Sequence, residues 1–119
     1  MALMRAPKEK RDVAPIFWDV AVRDRGKCVY CELDGSRDVR ILMNLHLDHL
    51  IPRGRKVDGI GNLVLACSCC NGDKGSWDPS EGIDDLPRET LIEAARRYIA
   101  EQRRPPYFYA ALYEELNSK

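Results

Sequence analysis

The sequence predicts an α+β fold: a small strand–loop–strand–helix core held by a four-cysteine metal site, with one helix before it and two after it. Three observations predict this. Two Cys-x-x-Cys pairs, Cys28/Cys31 and Cys67/Cys70, bracket 35 residues. Between them an alternating stretch, a basic Gly-containing loop and a short apolar run succeed one another as in a hairpin. Before Cys28 and beyond residue 87, apolar residues recur at helical spacing. At 119 residues there is room for one core, and so small a core gains from a metal staple.

Residues 1–14 are polar and charged, with Pro7, and read as a flexible N-terminal arm. Pro15 suits a first helical turn. Ile16, Phe17, Val20 and Ala21 share a face, and Gly26 is a stop signal. Asp34-Gly35-Ser36 is a turn. Residues 39–51 alternate as a strand that Pro52 ends, and residues 53–61 form a basic loop. Leu63-Val64-Leu65-Ala66 is the return strand leading into Cys67, and a short helix starts around Asn71. Residues 76–86 are a linker. The next helix begins either at Pro87 or through a Thr90-x-x-Glu93 capping box, with Leu91, Ala95, Tyr98 and Ile99 on one face. Pro105-Pro106 break it. Tyr107 to Leu116 form a last amphipathic helix. Phe17, Trp18, Tyr98, Phe108 and Tyr109 fall on helical patterns and read as core. The domain boundaries are then 1–14 for the arm, 15–82 for the stapled core and 83–119 for a helical extension packed on it.

Nineteen basic and nineteen acidic side chains give no net charge, which argues against a generic nucleic-acid coat and leaves local patches free to act. The charge is segregated: Arg53, Arg55 and Lys56 crowd one loop, and residues 78–93 hold six carboxylates against Arg88 alone. No secretory signal opens the chain, and no apolar run reaches the length of a membrane span. The expectation is a cytoplasmic protein. There, paired cysteines are metal ligands more often than disulfides.

Thiolate is the preferred structural ligand of zinc, and two Cys-x-x-Cys turns complete a tetrahedron. Five cysteines are present. Either Cys69 or Cys70 could pair with Cys67, and the repeated two-residue spacing selects Cys70, leaving Cys69 as a spare thiol. Asp48 is a hard oxygen ligand suited to Mg²⁺, and the neighbouring His49 is an imidazole able to take a proton from water near neutral pH. Successive strand residues point to opposite faces, so a shared site requires a twist or bulge near residue 48. His46 shares the Asp48 face as a surface residue or an outer contact.

These residues together resemble the HNH endonuclease family, in its Cys-x-x-Cys-bearing branch with a ββα-metal core. The resemblance rests on Cys28/Cys31, Asp48-His49-Leu50-Ile51-Pro52, Asn62-Leu63, Cys67/Cys70, Asn71 and Lys74-Gly75. It implies a zinc ion on the four cysteines and a catalytic Mg²⁺ or Mn²⁺ on Asp48 and Asn71. It implies His49 as general base, Asn62 orienting it and bracing the loop, and cleavage to 5′-phosphate and 3′-hydroxyl ends. Arg53, Arg55, Lys56 and Lys74 would contact the backbone of double-stranded DNA. The set departs from the family in reading His-Asn-Asn, and Gly59-Ile60-Gly61 stands where a Gly-Gly pair is frequent. The alternative is a non-catalytic zinc module that binds nucleic acid or protein. The helical tail, 87–119, is the segment through which a partner protein or a second copy would dock.

Overall fold

The computed structural model describes residues 15–57, 59–104 and 107–118. The expected arm over 1–14 and the Pro105-Pro106 break lie outside the described residues. Helix α1 runs Pro15–Arg23. It stops where Gly26 takes φ +69° and its N–H reaches the Ala21 carbonyl at 2.8 Å, a left-handed turn that glycine adopts without steric cost. Val20 is fully buried, Phe17 and Ala21 pack against the core, and Ile16 stays exposed. The turn at Gly35 is packed so closely that a Cβ there would lie 2.8 Å from Leu42 Cα.

The expected strand over 39–51 is shorter than its alternation implied. Residues Val39–Leu42 form a single helical turn, α2. Asp38 accepts from the Arg40 N–H at 2.8 Å and binds its guanidinium, while Asn44 donates to the Arg40 carbonyl at 2.8 Å. Local capping by a short polar side chain thus outcompetes the extended form. Strand β1 is Leu45–His49 and β2 is Leu63–Cys67. They pair antiparallel without a skipped residue, from Leu45↔Cys67 to His49↔Leu63. The irregularity expected near Asp48 is absent, so the pleat sends Asp48 and His49 to opposite faces of the ribbon.

Helix α3, Ser68–Lys74, begins three residues earlier than expected, because Cys67 Sγ accepts the Cys70 N–H and caps it. Helix α4 is Arg88–Gln102, with Pro87 as its N-cap and Thr90 inside the first turn. Leu91, Ile92, Ala95 and Ile99 of α4 close a core whose other side is Val20, Leu45, Leu50, Val64 and Leu65. Polar contacts fix the helix along its length. Arg88 reaches Asp24, Arg96 donates to the Val29 carbonyl, Arg103 meets Asp73 at 2.6 Å, and Tyr98 stacks on Trp77 with centroids 4.3 Å apart. Helix α5, Phe108–Asn117, buries no residue. Phe108 and Tyr109, expected in the core, are 68% and 64% exposed. None of the described helices is long and apolar enough to cross a membrane.

Candidate active site and metal centre

The sulfur site is assembled by the two knuckles. The ligand atoms of Cys28, Cys31, Cys67 and Cys70 all lie within 4.8 Å of one another. Cys31 Sγ and Cys67 Sγ are 3.8 Å apart, the edge of a tetrahedron with Zn–S bonds of about 2.3 Å. Cys69 is exposed and outside the cluster. The four thiols therefore fit a structural zinc. Their acidities are mutually opposed: a hydrogen bond from Cys70 lowers Cys28 to about 5. Burial raises Cys31 to about 11, and Cys70 is raised through its bond to Cys28 and its burial. Four such groups ionise together only around a cation. Arg103 adds a contact that spacing gives no sign of, donating to Cys70 Sγ at 3.3 Å.

At the other end of the ribbon Asn62 is buried and braces the loop. Its Oδ1 accepts the Ile51 N–H at 2.8 Å, and its Nδ2 donates to the carbonyls of Ile51 and Val57. This holds the chain just after His49. A second clamp comes from Arg23, whose guanidinium donates to the Ile60 carbonyl at 2.9 Å and to that of Leu63, on either side of Asn62. Asp24 grips the same guanidinium, accepts the Leu65 N–H at 2.9 Å and takes Arg88 from α4.

Asp48 points into the face covered by α3 and is 8% exposed. Its Oδ2 accepts the Tyr30 hydroxyl at 2.7 Å and lies 3.5 Å from Lys74 Nζ. Its Oδ1 accepts no hydrogen bond from the described residues. Oδ1 is thus the less engaged of the two oxygens, and it is not among the fully enclosed unpartnered atoms of the described residues. Lys74 is buried at 2% and donates to the His49 carbonyl at 3.0 Å, which places it inside the fold and not on a phosphate. Burial lowers its pKa, with Asp48 opposing. Asn71 is half-buried on α3, one turn before Lys74 and so on the same helix face. A carboxylate oxygen and an amide oxygen on that side suit a hard divalent cation.

His49 lies on the opposite face. It lines an open cleft of about 400 Å³ with Arg53, Lys56 and Val57, and a smaller one of about 160 Å³ with Ile16, Ile60 and Leu63. Arg53 and Lys56 make no ion pair among the described residues. Arg55, from the same basic loop, turns away: its guanidinium meets Asp78 at 2.6 Å, Ser80 at 2.9 Å and Asp84 at 3.1 Å. His46 is exposed on the Asp48 side.

The order of knuckle, hairpin with Asp48-His49, braced Asn62, knuckle and Asn71 is now a shape as well as a pattern. Residues 28–76 match the HNH endonuclease family. The HNH segment covers both knuckles, the ribbon and α3, and leaves α1, α4 and α5 outside it. No curated protein matches the chain. Within the HNH segment the structure brings the four cysteines together and puts Asp48 and Asn71 on the α3 side of the ribbon. It gathers His49, Arg53 and Lys56 around one cleft, and separates Arg55 and Lys74 from it.

Proposed function

We propose that the protein is a metal-dependent endonuclease that hydrolyses double-stranded DNA to 5′-phosphate and 3′-hydroxyl ends, in the reducing cytoplasm where its thiols can hold zinc. The observation that carries this reading is the sharing of one open cleft by His49 and the cations of Arg53 and Lys56. Arg53 and Lys56 hold the phosphate backbone without reading sequence. His49, fixed by the Lys74 bond to its carbonyl and by the Asn62-braced loop, takes the proton of the attacking water.

Asp48 and Asn71 would hold Mg²⁺ or Mn²⁺. When bound, that ion supplies charge neutralisation at the phosphate and the leaving 3′ oxygen. In-line displacement puts nucleophile and leaving group on opposite sides of phosphorus. The regular ribbon sends Asp48 and His49 to opposite faces, so in this reading one phosphate meets both at the end of β1, where the two residues lie.

A second reading, a non-catalytic zinc module, is favoured by the engagement of Asp48 Oδ2 with Tyr30 and Lys74. Nicking of supercoiled plasmid with Mg²⁺ separates the two. His49→Ala is expected to lower the rate by about 10²–10⁴-fold with zinc content unchanged. Equal rates for the two proteins would refute the nuclease reading.

A further inference from the structure

Both groups that touch Asp48 Oδ2 are rooted in the zinc knuckles. Tyr30 lies between Cys28 and Cys31, inside the first knuckle. Lys74 ends α3, the helix that Cys67 caps and Cys70 belongs to. The two contacts are unequal. The Tyr30 hydroxyl makes a bond of 2.7 Å, whereas Lys74 Nζ stays at 3.5 Å and spends its shorter contact, 3.0 Å, on the His49 carbonyl. Tyr30 is 6% exposed, and a buried phenol requires an acceptor; Asp48 Oδ2 is the acceptor it has.

We propose that Tyr30 is a positioning residue for the hard-cation site: it ties one oxygen of Asp48 to the zinc knuckle and turns the other, Oδ1, outward as a single-oxygen ligand. Without the hydroxyl, Oδ2 keeps only the longer ion pair, and the carboxylate is free to rotate about its last torsion. Partners one layer behind a metal ligand act in this way, and their loss typically weakens metal affinity by about 10–100-fold. Zinc occupancy and the hard-cation site are thereby coupled, chiefly through the Tyr30 hydroxyl and more loosely through Lys74. The inference rests on the nuclease reading only for the use made of the cation; cation binding is measured without DNA.

The test is Tyr30→Phe in the full, zinc-loaded chain, with Mn²⁺ titrated by the electron paramagnetic resonance of the free ion. The expected result is unchanged zinc content and a Mn²⁺ dissociation constant raised by about tenfold or more. In the nicking assay, the half-saturating Mg²⁺ concentration rises by the same factor and the rate at saturating Mg²⁺ is recovered. Asp48→Asn, the control, abolishes the Mn²⁺ site. The proposal is overturned if Tyr30→Phe binds Mn²⁺ as tightly as the native chain, or if Asp48→Asn leaves binding intact. It is equally overturned if the variant loses zinc, which would make Tyr30 a part of the knuckle alone. A native chain that binds Mn²⁺ in a Tyr30-dependent way yet cuts no DNA sustains this inference and removes the nuclease reading.

Discussion

At the Cys67 end of the ribbon, four sulfur atoms crowd within 4.8 Å and three of the four residues are buried. At the Leu63 end, five residues along the same two strands, the groups are oxygen and imidazole, and His49 opens onto a cleft beside the two cations of Arg53 and Lys56. One short ribbon thus separates a cluster of soft ligands from an imidazole that faces a cleft with two cations. The difference teaches a division of labour: the closed end gathers the thiols that staple the fold, and the open end, braced from inside by Asn62, leaves His49, Arg53 and Lys56 around a cleft.

That comparison can be broken in steps. Removing zinc is the largest. Structural zinc binding is worth about 10–16 kcal/mol in small zinc domains, as much as the whole stability of a typical domain, about 5–15 kcal/mol. A strong chelator is expected to abolish the cooperative thermal transition, while withdrawal of Mg²⁺ leaves it in place. A chelated chain that still melts cooperatively would show that the sulfur end is dispensable.

A smaller effect is expected at Asn62. Its alanine variant loses three hydrogen bonds that brace the loop, at a cost of roughly 2–4 kcal/mol counting the buried groups left unpaired. Denaturant unfolding measures this, and zinc content should not change. Loss of zinc in that variant would mean the two ends do not act separately.

The smallest is at Asp78, which the Arg55 guanidinium and Ser80 engage. Burial raises its pKa, but the Ser80 bonds and Arg55 outweigh burial and leave it below the usual carboxylate value. A depressed pKa means the contribution is complete above about pH 4, the ordinary value, and fades as the pH falls through the lower folded value. Asp78→Asn is expected to cost about 1 kcal/mol at pH 7, and the gap between the two proteins should shrink toward zero in acid. A gap that is constant with pH would assign the effect to packing.

Much of this layout was legible residue by residue. Pro15 and Gly26 bound the first helix because each acts on its own backbone. Cys28, Cys31, Cys67 and Cys70 declared themselves by spacing, since a knuckle is a local turn. Asn62 was legible as a loop brace from the pattern it shares with a family. The turn at 39–42 was misread because alternation cannot show that Asp38 caps a helical turn there. Arg53, Arg55 and Lys56 looked alike, and only the approach of residues 78–84 withdraws Arg55 from the cleft. Tyr30, Arg23 and Arg103 gave no signal, because their partners are 18, 37 to 40 and 30 to 33 residues away. Phe108 and Tyr109 showed the reverse: a helical apolar stripe announces a face able to bury itself, not that anything covers it.

By itself the sequence determined which chemistry is present and in what order: two thiol pairs, a carboxylate beside an imidazole, two amides and a basic loop. Those properties reside in side chains and short turns, which carry their chemistry wherever the chain goes. Only the tertiary structure decided which oxygen of Asp48 is held and which is free, on which side of the ribbon His49 stands, and which of the loop's cations keeps its charge unspent. Those outcomes depend on strand register and on partners distant in the chain, and long-range packing alone sets both.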